Sequence, residues 1–161
     1  MPVRYTDAEI ASLMAEPKQL PADYHSRLQP RTTKRGQLER ELAVLGDDGT
    51  EFTIIVRQSV ANPLRFSVIV ACPAPGLTTR FLLRRYNGDH GRHTNRLEGT
   101  VVRGPHRHIA TERYQAAGFD EEAYAETDRR FVDVAGAIDA AIADCSFVTV
   151  MPDQLSLFGG H

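Results

Sequence analysis

Histidine and arginine side chains concentrate in one stretch of this 161-residue chain, between residues 84 and 113. Four of the six histidines of the chain lie there: His90, His93, His106 and His108. Histidine exchanges protons near neutral pH, and arginine stabilises the negative charge that develops when a phosphate ester is attacked. This stretch therefore carries the main candidates for chemistry.

A metal-independent nuclease is one reaction that these residue types could perform. His106 and His108 would serve as general acid and base, with Glu112 close to them. Arg84 and Arg85 would face the phosphate and stabilise its extra charge in the transition state. The substrate would be DNA or RNA.

A metal site is a second hypothesis for the histidines. Residues two apart on a strand point to the same face, so His106 and His108 could share a ligand, with His90 and His93 approaching from a loop. However, the stretch contains no cysteine and no His-Glu-x-x-His pattern, and His-x-His alone is weak support. We therefore predict no metal and no other cofactor.

Three further interpretations need no catalysis. Exposed arginines would hold nucleic-acid backbone or another anion by charge alone. The candidates for that role are Arg84, Arg85, Arg92, Arg107 and Arg113. The same surface could dock a protein partner, such as an acidic antitoxin. Alternatively, arginine, glutamate and asparagine side chains cross-link an irregular loop and have a purely structural role.

The net charge of −2 hides an uneven distribution of charge along the chain. Seventeen of the 19 basic residues are arginine, and eight of these arginines fall within residues 80–113, against three acids. That segment therefore carries +5, which leaves −7 for the rest of the chain. Such asymmetry favours an anionic partner for one face, and DNA is a candidate.

Length and composition indicate one ordinary globular domain. Hydrophobic residues make up 42% of the chain and charged residues 25%, which excludes disordered, collagen-like and coiled-coil proteins. No stretch approaches the ~18 apolar residues of a membrane-spanning helix, and the polar start of the chain does not resemble a signal peptide. We therefore expect a cytoplasmic protein without a membrane partner, in which Cys72 and Cys145 are buried, free thiols.

Helix signals occur near both ends of this domain. Thr6 and Glu9 have the spacing of a capping box, which predicts a short helix over Asp7–Ala15. Apolar residues also recur every three or four positions between residues 120 and 145, with Asp120 suited to be the N-cap. This second pattern predicts one long amphipathic helix.

Strand signals fill the middle of the chain. Alternating or β-branched runs occur at residues 38–45, 52–57, 65–71 and 79–86, and their short connections favour antiparallel neighbours. We therefore predict an α+β fold, in which a long C-terminal helix packs on an antiparallel meander sheet and a short helix precedes it. The domain is predicted to span residues 1–147, followed by a tail of residues 148–161.

The tail contains a short peptide with adjacent large apolar side chains. Its residues are Gln154, Leu155, Ser156, Leu157 and Phe158, and we refer to them as the QLSLF peptide. Apolar groups on an exposed tail are suited to anchoring in a pocket of a partner. The alternative is that the peptide forms a last strand, or folds back on the domain.

The QLSLF peptide resembles the motif by which bacterial replication proteins dock on the sliding clamp, the ring-shaped processivity subunit of the replicative polymerase. That motif is Gln-Leu, then Ser or Asp, then Leu-Phe, and the resemblance covers these five residues only. It implies that Leu157 and Phe158 enter an apolar pocket of the clamp while Gln154 forms orienting hydrogen bonds. Leu155 would add an apolar contact, and Ser156 a polar one.

The small size of the chain indicates what kind of clamp ligand it would be. It lacks a P-loop and the acidic metal pair of polymerases, and in its clamp peptide it is similar to SocB-type replication-inhibiting toxins. The resemblance implies a protein that occupies the clamp, blocks replication proteins and stalls elongation, with an antitoxin or a protease adaptor as a further partner. One alternative is a nuclease, clamp-recruited or free. A second is a phage or mobile-element protein that tethers itself to the replication fork through the same peptide, and the sequence does not separate it from the toxin.

Overall fold

The computed structural model describes residues 3–34, 36–76, 78–89 and 91–149. In chain order the elements are α1 (Asp7–Ala15), β1 (Lys18–Leu20), α2 (Tyr24–Leu28), β2 (Arg31–Lys34), β3 (Gln37–Leu45), β4 (Glu51–Ser59), β5 (Phe66–Pro73), β6 (Arg80–Asn87), β7 (His93–Asn95), β8 (Thr100–Val102), β9 (His106–Ile109), α3 (Glu112–Ala116), β10 (Ala125–Thr127), α4 (Val134–Asp144) and β11 (Phe147–Thr149).

A seven-stranded antiparallel sheet organises these elements. Its strand order is β10-β9-β6-β5-β4-β3-β2, so that five consecutive strands, β2 to β6, lie side by side as a meander. Strand β9 then adds to the free edge of β6, and β10 adds to β9. Two small sheets complete the fold: the β7-β8 hairpin and the parallel pair β1-β11.

The central strand, β5, is buried along almost its whole length, which explains its nearly continuous apolar sequence. Val68 and Val70 belong to the main hydrophobic core, on the face of the sheet that we call the core face. Helix α4 packs there against β5 and β6. Ile69 and Ala71 belong to a small cluster on the opposite face, which we call the second face.

The predicted long C-terminal helix is wrong, and with it the predicted fold class. Residues 120–133 instead contain β10 and irregular chain, and α4 has only 11 residues. Asp133, not Asp120, caps α4, since its side chain accepts a hydrogen bond from the backbone N–H of Gly136. Pairing of β10 with β9 therefore overrides the helical periodicity. The described part of the chain is mostly sheet, with four short helices.

The predicted short N-terminal helix is confirmed. The Thr6 hydroxyl accepts a hydrogen bond from the backbone N–H of Glu9, and the Glu9 carboxylate accepts one from the backbone N–H of Thr6. This reciprocal pair satisfies two donors that a helix start otherwise leaves free. The two cysteines, Cys72 and Cys145, are both buried and free, as predicted.

A fully buried lysine connects the ends of two helices. The ammonium group of Lys18 donates to the carbonyls of Leu13 and Glu16 at the end of α1, and to the carbonyl of Cys145 at the end of α4. It also lies 4.3 Å from the ring centre of Phe52. Burial lowers the pKa of Lys18, but the negative ends of two helix dipoles compensate the charge, together with four carbonyl acceptors, of which the fourth is that of Met14. Sequence reasoning did not identify this residue.

Strand β11 ends the described chain at Thr149, where it pairs with Leu20 of β1. It therefore extends two residues past the predicted domain boundary at residue 147. No helix in the described part of the chain is both long enough and apolar enough to cross a membrane.

Candidate functional site: the histidine and arginine segment

Three of the four predicted histidines lie together on the second face of the sheet. Strand β9 presents His106 and His108 from alternate positions, and β7 brings His93 against both. The ring centre of His93 lies 4.8 Å from that of His108 and 6.1 Å from that of His106. The rings of His106 and His108 are 4.9 Å apart. We call these three residues the histidine cluster; His90 lies outside the described residues.

A polar network on β5 and β6 fixes the orientation of the His108 ring. The side-chain oxygen of Asn87 accepts hydrogen bonds from the Ser67 hydroxyl at 2.8 Å and from Arg85 Nε at 3.0 Å. The amide nitrogen of Asn87 therefore faces His108 Nε2, 3.2 Å away, and donates to it. Because Nε2 accepts, the neutral ring carries its hydrogen on Nδ1. That buried Nδ1 has no hydrogen-bond partner among the described residues.

The histidine cluster is closed to solvent at its two β9 positions. His106 is 2% exposed and His108 is 6% exposed. Burial, with the neighbouring His106, His93 and Arg85 acting in the same direction, lowers the pKa of His108 to about 3. His108 is therefore neutral near pH 7 and does not exchange a proton there.

The other two histidines are tied to backbone carbonyls. His93 Nε2 donates to the carbonyl of Ala123 at 2.8 Å, and His106 Nδ1 donates to the carbonyl of Gly104 at 2.9 Å. These bonds hold β7 and the turn before β9 in place. In each of the two rings, one nitrogen therefore serves as a donor in a structural hydrogen bond.

Glu112, the third candidate of the nuclease hypothesis, is engaged elsewhere. Its carboxylate accepts a hydrogen bond from the backbone N–H of Asp7, and the Asp7 carboxylate accepts one from the backbone N–H of Glu112. This exchange ties the start of α3 to the start of α1. Among the described residues, the carboxylate of Glu112 forms no hydrogen bond with His106 or His108.

The metal hypothesis receives no support from the described part of the chain. There, no group of three or more histidine, cysteine, aspartate or glutamate side chains is arranged to hold a metal ion. The histidine rings pack edge to face or stacked on one another instead of converging.

The five candidate anion-binding arginines do not form one surface. Strands β6 and β9 pair Arg84 with Ile109 and Arg85 with His108, so that Arg84 lies on the core face and Arg85 on the second face. Arg107 pairs with Tyr86 and also lies on the core face. Arg113 lies on α3, where it contacts Glu98, and Arg92 is exposed in the chain before β7.

Two of these five arginines are paired with acids that come later in the chain. Arg85 contacts Glu122 at 3.0 Å, and Arg107 contacts Glu126 at 2.7 Å and Asp128 at 3.3 Å. The acidic segment that follows the basic segment therefore neutralises part of its charge inside the fold. Arg113 pairs within the basic segment itself, with Glu98.

A second ion-pair network, which sequence reasoning missed, joins the irregular chain after β10 to the end of α4. Arg130 donates to Asp128 at 2.6 Å and, through both terminal nitrogens, to Asp144 at 2.8 Å. The hydroxyl of Tyr86 donates to Asp144 at 2.7 Å. Burial alone would raise the pKa of Asp128, but the hydrogen bonds and charge of Arg130 lower it. The only sequence signal was the charge of these side chains within an apparent helix.

Comparison with known proteins gives one match. A model of a family of unknown function, DUF6978, matches residues 5–150. The chain belongs to this family. No curated protein and no solved structure matches it. The DUF6978 region includes every helix and strand described above and ends before Gln154, so the QLSLF peptide follows the family domain and lies outside the described residues.

Proposed function

We propose that this protein binds the bacterial sliding clamp through its QLSLF peptide and excludes other replication proteins from the same pocket. The observation that carries the proposal is the peptide itself, which matches the clamp-binding pattern at each of its five positions. Its location supports the proposal, because it begins five residues after the last described strand ends and is not part of the family region.

The chemistry of the peptide suits a short anchoring segment. By the resemblance, Leu157 and Phe158 would fill an apolar pocket and Gln154 would orient the chain by hydrogen bonds. Peptides of this kind bind with a dissociation constant of about 1 μM, which is roughly −8 kcal/mol. Burying two large apolar side chains supplies several kcal/mol of that energy.

The short connection between domain and peptide supports an inhibitor over a passive ligand. Thr149 ends β11, so Gln154 is five residues away and can lie at most about 17 Å from it. A domain held that close to the pocket would cover the neighbouring surface of the clamp. Other clamp-binding proteins would then be excluded by the domain as well as by the occupied pocket.

The state of the histidine cluster favours binding over catalysis. His106 and His108 are buried, and His108 is neutral near pH 7. A general acid or base must reach the reacting atoms, and these two rings face one another inside the fold. The nuclease hypothesis therefore gains no support from the arrangement of its candidate residues.

Direct binding to purified clamp, measured by calorimetry with the full chain, tests the proposal. We expect a dissociation constant near 1 μM for the wild type, and binding at least about 100-fold weaker for Leu157→Ala/Phe158→Ala. A matched control is Val60→Ala/Leu64→Ala, which truncates two exposed apolar side chains of the β4-β5 connection. Equal binding by the wild type and the peptide variant would refute the proposal.

The inhibitory role needs a separate experiment. Expression of the wild type in bacteria should slow DNA synthesis and growth, whereas Leu157→Ala/Phe158→Ala should not. If the peptide variant remained fully toxic, clamp occupation would not be the cause. Incubation of the purified protein with DNA and with RNA identifies a nuclease directly, because the proposed inhibitor leaves both substrates intact.

A further inference from the structure

A cleft opens on the core face where the sheet is not covered by α4. It lies between α1, the neighbouring strands β6 and β9, and the end of α4, and its volume is about 400 Å³. We call it the Arg84 cleft. Its lining residues are Met14, Arg84, Arg107, Ile109, Arg130 and Asp144.

The lining of the Arg84 cleft is rich in positive charge. It contains three guanidinium groups and one carboxylate, that of Asp144. Both oxygens of Asp144 are already used, since Oδ1 and Oδ2 each accept from Arg130 at 2.8 Å and Oδ2 also accepts from the Tyr86 hydroxyl. Arg107 is likewise paired, with Glu126 and Asp128.

Arg84 differs from the other two arginines of the cleft, Arg107 and Arg130. It forms no ion pair with any residue that the structure describes, whereas both of them do. Among the described residues, its one side-chain hydrogen bond runs from Nη1 to the carbonyl of Leu83, at 3.0 Å. Yet it is half-buried on the core face, opposite Val70 on β5. A guanidinium offers five N–H donors in a planar fork, so Arg84 leaves most of this capacity free at the cleft.

The position of Arg84 on this face results from an irregularity in the strand pairing. Val70 pairs with Arg84 and Ala71 with Leu82, so Leu83 is an extra residue on β6. Leu83 belongs to the main core, next to Arg84 in sequence. Such bulges redirect side chains in strands and commonly occur next to functional sites.

A partly apolar groove continues from the Arg84 cleft along α1. Ile10, Ala11, Met14 and Ala15 form its wall on the helix side, and Ile109 and Ala110 form its floor on the sheet side. Its polar lining residues are Asp7, Thr111, Asp144 and Ser146, besides Arg84. Met14, Arg84, Ile109 and Asp144 line both parts, so the charged cleft and the groove form one continuous concavity.

We propose that this concavity is a binding site for a small oxyanion, a phosphate or carboxylate, that carries an apolar group. The oxyanion would accept the fork of Arg84 in bidentate geometry, which arginine forms with both anions. The apolar group would lie along α1 against Met14 and Ile10. The site is separate from the QLSLF peptide and does not depend on clamp binding.

Titration of the full chain with phenyl phosphate, followed by amide NMR, tests this proposal. We expect saturable shifts at Arg84, Ile109 and Ala110, with millimolar or tighter affinity. Inorganic phosphate and phenol should each bind at least about tenfold more weakly, because each offers only half of the interaction. Phenylacetate, which places a carboxylate on the same ring, should shift the same amides.

Two arginine variants provide the comparison. Arg84→Gln should weaken phenyl phosphate binding at least tenfold, whereas Arg65→Gln, which removes an exposed arginine outside the cleft, should leave it unchanged. Leu157→Ala/Phe158→Ala should also leave it unchanged, which separates this site from the clamp proposal. The inference is refuted if the wild type shows no saturable shifts below about 20 mM, or if Arg84→Gln binds as the wild type does.

Discussion

The histidine cluster and the Arg84 cleft lie on opposite faces of the same two strands, β6 and β9, and they differ in how their polar groups are satisfied. On the second face, the side chains of Asn87, Arg85 and Ser67 hydrogen-bond one another, and one buried atom there, His108 Nδ1, has no partner among the described residues. On the core face, Arg84 keeps most of its donors free beside open space. The polar segment at residues 84–113 therefore contributes to two different regions. One is a closed structural network, and the other is an open candidate site.

The comparison shows why residue type alone is a poor guide to chemistry. Histidine is the more common catalytic residue, yet here His106 and His108 are buried, and His93 and His106 donate to backbone carbonyls of the fold. The candidate site depends on an arginine that a one-residue irregularity in β6 places on the core face. Four predictions test this difference, in order of decreasing effect.

The largest effect should come from Asn87, at the centre of the closed network. Asn87→Ala removes the acceptor shared by Ser67 and Arg85 and the donor to His108, so several buried polar groups lose a partner. We expect the free energy of unfolding to fall by about 3 kcal/mol. Urea denaturation measures it, with Asn62→Ala in the exposed β4-β5 connection as control. A loss below about 1 kcal/mol would mean that the network is not closed.

The next effect concerns Asp128, which holds the two paired arginines of the Arg84 cleft. Asp128→Asn removes the negative charge between Arg107 and Arg130 and should destabilise the protein by about 2 kcal/mol. Because the cleft becomes more positive, phenyl phosphate should bind more tightly to this variant. Asp89→Asn, an exposed aspartate, serves as control in both measurements. Weaker binding by Asp128→Asn would contradict a site that attracts anions by charge.

The pH dependence of stability tests whether His108 is buried in its neutral form. Its pKa is about 3 in the folded protein, against 6.5 for the unperturbed side chain. As pH falls below about 6.5, the unfolded chain binds a proton that the folded protein does not, so this residue destabilises the fold by about 1.4 kcal/mol per pH unit. His108→Gln should lose this part of the slope, and His25→Gln, an exposed histidine, should keep it. If the free energy of unfolding changed with pH in the same way in the wild type and in His108→Gln, His108 would be accessible to solvent in the folded protein.

The smallest effect on stability should come from Arg84 itself. It forms no ion pair within the described fold, so Arg84→Gln should change the free energy of unfolding by less than about 0.5 kcal/mol. Arg107→Gln, which breaks two ion pairs at the same cleft, should cost clearly more. Thermal and urea denaturation of both variants measure the contrast. A large loss of unfolding free energy in Arg84→Gln would show that this arginine has a structural role.

Local signals in the sequence were sufficient for some of this fold. The capping box of α1 and the strands β3 to β6 were predicted close to their observed bounds, because each depends on neighbouring residues or on short turns. The helical periodicity of residues 120–145 was misleading, because β10 pairs with β9 across the intervening helix α3. A strand of three residues is too short to show period-two alternation in the sequence.

The candidate site shows the same difference between what local sequence signals predict and what depends on strand pairing. The spacing of His106 and His108 predicted that they share a face, since residues two apart on a strand do so. His93 was expected to approach from a loop, as part of the metal hypothesis, whereas it lies on strand β7. The burial of His106 and His108, and the pairing of Arg85 and Arg107 with Glu122, Glu126 and Asp128, could not be anticipated because both depend on which strands meet. Arg84 and Arg85 lie on opposite faces because they are neighbours in one strand. Which of the two lies on the core face depends on the registers of β6 with β5 and β9.

The most direct test of the central claim is a competition experiment on purified clamp. A fluorescent peptide that carries a known clamp-binding motif is bound to the clamp, and the unlabelled full-length protein is titrated in while anisotropy is recorded. Our account predicts complete displacement with an inhibition constant near 1 μM, and none by Leu157→Ala/Phe158→Ala at the same concentrations. Failure of the wild-type protein to displace the peptide would contradict the account.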